Sequence, residues 1–252
     1  MTRRELVREL DALLNLQSIS DDSNNGLQVE GRDDVRTLAF ALDACQITID
    51  RANELGADML IVHHGLYWGK VLLARGTHAA RLRSCFSAGL SLYAAHIPLD
   101  AHPSLGNNIA LIEDAGFTPA GWFGEYHGLR IGALGEHREG ISLEEICASL
   151  ERSLFCRPAR LLGNAAGKKF TKAAAISGGA MRWVEDAKNA GAEIFITGEG
   201  SHSAYHAAVE SGIAVLLYGH YMSEMIGLRR LRDYCEKQFT LKCEVIDHPT
   251  GF

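Results

Sequence analysis

Met59-Leu-Ile-Val62 is an apolar run that passes straight into His63-His64-Gly65. A short apolar run closed by glycine has the pattern of a buried strand in the middle of a parallel sheet. The pattern recurs. Leu38 to Leu42 ends at Asp43, Leu90 to Ala95 ends at His96, and Lys172 to Ile176 runs into Ser177-Gly-Gly-Ala180. Ile194 to Thr197 is closed by Gly198-Glu199-Gly200-Ser201-His202, and Ala214 to Tyr218 leads through Gly219 to His220. Leu129 to Leu134 and Leu241 to Ile246 complete the predicted strands.

Helical spacing fills the intervals. Thr2 with Glu5 forms a capping box ahead of Leu6, Leu10, Leu13 and Leu14, and Ser142 with Glu145 opens a second helix to about Leu154. Further helices are predicted over Ile47–Leu55, Ala74–Ser87, Ser104 to Gly116, Arg182–Ala190, Ala204–Glu210 and Met222–Gln238. Asp21 to Gly31 reads as a polar turn segment. Pro98 argues against regular helix in His96-Ile-Pro-Leu-Asp100, which would display His96 and Asp100 on a loop.

Alternating strands and helices predict an α/β protein of βαβ units and mostly parallel sheets flanked by helices. The two halves have a similar layout. Composition shifts toward Gly, Pro and aromatics around Thr118 to His127. The expected division is a lobe over 1–124 and another over 125–252, the last helix being able to pack back on the first. A chain of 252 residues is long enough for two lobes with cores of their own.

Ligands of open α/β sheets sit beyond the carboxyl ends of the strands. Collected there are His63, His64, His96, Asp100, His220 and Glu224. Adjacent side chains on a regular strand point apart, so His63 and His64 are either one buried and one exposed histidine or, if the backbone turns, donors to two neighbouring ions. His220 and Glu224 are four residues apart and share a helix face. Nitrogen and oxygen donors suit Zn, Fe, Mn or Ni and disfavour a thiolate site. Two ions about 3.5–4 Å apart are a recurring device for hydrolysis.

Other features carry two readings each. Gly178-Gly179 is an anion-binding turn or a tight packing turn. Glu199 and His202 support ligands or form a solvated strand end, the second being favoured. Tyr67 and Trp68 wall a pocket or simply pack.

A net charge of −6 and a pI near 6.0 give no footprint for nucleic-acid or membrane-surface binding. The six cysteines show no C-x-x-C pair, which suits reduced thiols in a cytoplasmic protein. Neither a signal peptide nor a membrane-spanning stretch is expected.

Asn25-Gly-Leu-Gln-Val-Glu-Gly31, Val62-His-His-Gly65, His96-Ile-Pro-Leu-Asp100 with Gly106-Asn-Asn108, Ser177-Gly-Gly-Ala180, Ile196-Thr-Gly-Glu199 and Gly219-His-Tyr-Met-Ser-Glu224 occur in this order along nearly the whole chain. In them the chain resembles the GTP cyclohydrolase 1 type 2 homologues, also called NGG1-interacting-factor-three-like proteins, in the short form without an inserted domain. The resemblance implies two interlinked α/β lobes with a dinuclear metal site in the cleft between them, and assembly into a toroidal homohexamer. It places metal ligands at His63, His64, Asp100, His220 and Glu224, with Glu224 bridging, and puts His96 near the metals. Tyr221, Met222 and Ser223 depart from the family pattern without changing the ligand types.

The expected function is metal-dependent hydrolysis of a small molecule, with two divalent ions per subunit and His96 as proton shuttle. The family name adds ring opening of a purine nucleotide such as GTP. The alternative is a non-catalytic protein that stores or delivers metal or acts as an adaptor. Neither a membrane nor a nucleic-acid partner is expected.

Overall fold

The computed structural model describes residues 1–163 and 165–251. The chain divides into two compact units. One comprises residues 1–99 with 228–248, and the other residues 100–227 with the C-terminal residues from 249.

The first unit begins with helix α1 (Arg3–Leu13), whose Thr2–Glu5 capping box is formed on both sides, and buries Leu6 and Leu10. Strands β1 (Gly26–Val29), β2 (Thr37–Asp43), β3 (Met59–His64) and β4 (Ser91–Ala94) then build its sheet. Between them lie α2 (Gln46–Glu54) and α3 (Gly76–Ala88). Strands β2, β3 and β4 run parallel, and the strand Lys242–Val245 joins β2 in parallel at one edge. Strand β1 closes the other edge antiparallel to β4.

Met59 to Val62 of β3 are fully buried, as the unbroken apolar run requires. Leu60 and Val62 pack in one cluster with Ala39 and Ala41 of β2, Leu92 of β4, Ile49 of α2 and Cys85 of α3. Each large aliphatic side chain so buried contributes roughly 1.5–3 kcal/mol before entropy is deducted.

A single helical turn, α4 (Ile97–Asp100), follows β4. The sequence pointed to a loop here. Pro98 is compatible with the turn because a first-turn residue has no intrahelical partner for its N–H, and proline lacks that N–H.

The second unit contains α5 (Asn107–Asp114), β5 (Thr118–Tyr126), β6 (Leu129–Ser142), α6 (Leu143–Leu154), β7 (Arg160–Leu162) and β8 (Lys169–Ile176). After a short 3-10 turn at Met181–Trp183 come α7 (Val184–Asn189), β9 (Ile194–Thr197), α8 (His202–Glu210) and β10 (Ala214–Leu217). Helix α9 (His220–Phe239) starts in this unit and ends in the first, leading to β11, the Lys242–Val245 strand already placed there.

The second sheet has the order β5-β6-β8-β9-β10-β7. Only β8, β9 and β10 are mutually parallel; β5, β6 and β7 pair antiparallel, so this sheet is mixed rather than mostly parallel. The compositional shift at Thr118 to His127 lies in the β5–β6 hairpin. His127 (φ 48°) and Gly128 (φ 84°) both take left-handed conformations in its two-residue turn. The core of this unit gathers Ile109 and Ile112 of α5, Ile146 and Leu150 of α6, and Ile194, Ile196 and Leu216 of the central strands. No helix among the described residues is long and apolar enough to cross a membrane.

Candidate metal centre

The first unit brings three imidazoles together at the carboxyl ends of β3 and β4. His63 is the last fully buried residue of β3, and its Nδ1 lies 2.9 Å from the Ala95 carbonyl oxygen. A carbonyl only accepts, so Nδ1 carries the proton and Nε2 presents the lone pair. His64 stands beside Asp43 across the parallel β2–β3 pairing, and its Nδ1 lies 2.8 Å from Asp43 Oδ1. His96 comes after β4, with Nδ1 3.0 Å from both oxygens of Asp21.

The ring centroids of His63 and His64 are 4.8 Å apart, and those of His63 and His96 5.0 Å. Adjacent side chains that a regular strand would direct apart therefore converge at the strand end. One ligand atom from each of His63, His64 and His96 falls within 4.8 Å of the others, a group able to hold a metal ion. Trp68 meets the His96 ring edge-on at 5.0 Å and lies 5.9 Å from His64. Its ring packs beside the histidine group, while Tyr67 packs against the core of the first unit.

Asp21 anchors this arrangement. Its side chain is 1% exposed. It accepts bonds from Asn25 Nδ2 at 2.8 Å, Ser23 N at 3.2 Å and Ile97 N at 3.1 Å. Burial alone would raise its pKa, but the hydrogen bond and charge of His96, with the Asn25 and Ser23 bonds, prevail and lower it to about 2. Asn25 Oδ1 also accepts the His96 backbone N–H at 2.8 Å. The polar segment 21–31 thus supplies the base of His96, then the edge strand β1.

In the second unit the candidate donors include two buried acids, Asp100 and Glu224, and neutral groups hold the first. Asp100 is buried, and its Oδ1 accepts from Asn107 Nδ2 at 2.8 Å and from Ser177 Oγ at 3.0 Å. Asn107 Oδ1 accepts the Gly227 N–H, and Asn108 bonds both Ser177 N and the Ile131 carbonyl. Both amides are fully buried and satisfied within the fold.

His220 and Glu224 meet one turn apart on α9. His220 Nε2 is 3.1 Å from Glu224 Oε2, while Nδ1 is 3.0 Å from Glu199 Oε1. Glu199 is therefore bonded to a predicted ligand, although its side chain is 41% exposed and its sequence position favoured a solvated strand end. His202 opens α8 exposed to solvent.

The glycine turn lies under this pair. Gly178 has φ +64°, and a Cβ there would stand 2.2 Å from Glu224 Oε1. Its N–H donates to Ser223 Oγ at 3.0 Å, and its carbonyl accepts from the N–H groups of Gly198 and Glu199. Gly178-Gly179 is thus a packing turn that makes room for the Glu224 carboxylate. Ser223 ties that turn to the first turn of α9, also bonding the His220 carbonyl at 3.0 Å.

Asp21 and Asp43 had no functional role in the sequence-based expectation, and Asn25 entered it only as the start of the Asn25–Gly31 motif. The available signal was positional: Asp43 closes β2 just as the histidines close their own strands.

All four histidines of these sets have Nδ1 engaged by a carboxylate or carbonyl. That is the support metal-ligating histidines typically have, since it fixes the ring and raises the basicity of Nε2.

The family model Duf34/NIF3 (NGG1p interacting factor 3) matches residues 1–250. A Pyrococcus horikoshii relative named GTP cyclohydrolase 1 type 2 homolog is 41% identical over 253 residues, covering 100% of both chains. An Escherichia coli relative of the same name is 34% identical and covers 99% of both. Among solved structures, TTHA1606 from Thermus thermophilus is 36% identical with TM-score 0.86 over 100% of both chains. Reduced HcgD from Methanocaldococcus jannaschii, 24% identical with TM-score 0.85 over 98% of both, shares the fold. By a match that runs from end to end, the chain belongs to the Duf34/NIF3 family.

Proposed function

We propose that the protein is a dinuclear metal-dependent hydrolase acting on a small molecule. His63, His64, Asp100, His220 and Glu224 would be its metal ligands, with Glu224 as the shared carboxylate. The observation that carries this reading is the fixing of four imidazoles through Nδ1 by Ala95, Asp43, Asp21 and Glu199. The donor set fits Zn, Fe, Mn or Ni, since it offers imidazole and carboxylate and no thiolate.

Two divalent ions would supply Lewis acidity and make a water acidic enough to attack near neutral pH. The chain's own residues do the rest. Asp43 and Glu199 orient His64 and His220. Asn107 and Ser177 hold the Asp100 carboxylate in one rotamer. Asp21 holds His96 through Nδ1, leaving Nε2 to accept and return a proton during turnover. Trp68 shields that imidazole from water on one side.

The names of the relatives support a nucleotide as substrate and ring opening of a purine as the reaction. The protein is read as cytoplasmic and as assembling into a homohexameric ring.

The test is turnover of a nucleotide panel by metal-reconstituted wild type and His96→Gln. Hydrolysis by wild type, with kcat at least 100-fold lower in His96→Gln at unchanged metal content, supports the reading. Two ions bound without turnover of any nucleotide would move the assignment to metal storage or delivery.

A further inference from the structure

A cavity of about 520 Å³ opens within the second unit beside the His220–Glu199 pair. Its walls include Gly179, Arg182, Glu185, Glu199 and Ser203. Glu199 is the side chain bonded to His220 Nδ1, and Gly179 lies against the same imidazole, where a Cβ would come 4.0 Å from Nδ1. The cavity therefore shares a wall with a proposed metal ligand. Its volume lies within the roughly 300–1,000 Å³ usual for small-ligand sites.

The floor is built around Met181, which is 3% exposed. Gly200 makes room for it, since a Cβ on Gly200 would stand 2.4 Å from Met181 Cε. A second cavity, of about 270 Å³, shares Met181, Gly200 and Ser201 and extends to Arg160 and Tyr205.

Among the described residues, Arg182 is the one cationic side chain lining the larger cavity. Its guanidinium is held 3.9 Å over the Trp183 ring and makes no ion pair among the described residues. Stacking leaves the edge of the guanidinium, with its N–H groups, open to a ligand, in the fork geometry that suits phosphate or carboxylate. The acids have other tasks: Glu199 is engaged by His220, while Glu185 can accept from N–H or O–H groups of a ligand.

Resting on the hydrolase reading for the location of the chemistry, we propose that this cavity is the substrate's recognition subsite. It takes a small molecule of nucleotide size whose anionic group, phosphate or carboxylate, pairs with Arg182 and whose hydrogen-bond donors face Glu185. Arg182 determines specificity without touching the reacting atoms.

The experiment is calorimetric titration of the chelator-treated protein with guanosine monophosphate, guanosine, inorganic phosphate and succinate. Wild type, Arg182→Gln and Ser203→Phe, the last filling the cavity from an exposed position, are compared after circular dichroism confirms folding. Guanosine monophosphate is expected to bind wild type at least tenfold more tightly than guanosine does, and to lose at least tenfold in both variants. Phosphate exceeding succinate assigns a phosphorylated substrate, and the reverse a carboxylated one. No binding of any anion, or equal binding by wild type and Arg182→Gln, overturns the inference. Metal content, measured in parallel on reconstituted protein, separates the two readings. Arg182-dependent binding by a protein that never loads metal would leave this subsite standing and the hydrolase reading refuted. Normal metal loading with no effect of Arg182→Gln would refute this subsite and leave the metal site, and with it the turnover test of the hydrolase reading, untouched.

Discussion

The two donor sets are built in opposite ways. In the first unit the candidate donors are imidazoles and their holders are acids, Asp21 and Asp43, together with the Ala95 carbonyl. In the second unit Asp100 and Glu224 are buried acids, set among amides, hydroxyls and glycine backbone. An imidazole on a carboxylate is tuned electrostatically, so its support acts on ligand basicity. A carboxylate fitted against a glycine is fixed sterically, so its support acts on whether the group can occupy its place at all. His220 combines the two modes, with Glu199 on Nδ1 and Glu224 near Nε2.

The largest effect expected from this contrast is at Gly178. Gly178→Ala places a methyl 2.2 Å from Glu224 Oε1 on a backbone at φ +64°. Strain and overpacking together should cost about 2–4 kcal/mol. A thermal melt should show the loss of stability, and metal analysis a loss of more than half the bound ion. An unchanged melt and full metal content would break the steric half of the comparison.

A smaller and different effect is expected from Asp43→Asn and Glu199→Gln. Each keeps the shape and weakens the anchor of one imidazole, so metal affinity should fall about 10–100-fold while the melting temperature of the metal-free protein hardly moves. Competition with a chromophoric chelator measures the affinity. Losses of stability equal to that of Gly178→Ala would show that the two modes of support are not distinct.

The smallest effect is a pH dependence at Asp21. Its folded pKa lies below the ordinary value of 3.8, at about 2, so its contribution to stability is present above about pH 4 and disappears as pH falls through 2. In Asp21→Asn the metal-free protein should therefore lose stability near neutral pH and show a shallower acid limb between about pH 4 and 2. Acid-unfolding curves followed by circular dichroism read this directly, and parallel curves for the two proteins would contradict it.

Much of the fold and of both donor sets was legible in the sequence because buried strands have a local signature at their ends. The apolar runs before His63, His96 and His220 had to be buried, and the residue that closes a buried strand is displayed at the sheet's edge. Both capping boxes were equally local and formed as read. The features that escaped have no local signature. Strand β1 lies in a polar, Asn-rich segment and is held through its pairing with β4. Strand β5 combines Gly, Pro and aromatics, and its strand character comes from pairing with β6. Buried Asn107 and Asn108 look like ordinary helix-start polar residues until Gly227, Asp100, Ser177 and Ile131 supply their partners. Glu199 looked solvated because its partner His220 lies 21 residues further along the chain.

The proposed function requires the protein to bind a pair of divalent ions. Elemental mass spectrometry of wild type and Glu224→Ala, each purified and reconstituted with Zn, Fe, Mn or Ni, tests it most directly. About two ions per subunit are expected in the wild type, and loss of both in the variant. No bound ion in the wild type after reconstitution, or undiminished metal in Glu224→Ala, would contradict it.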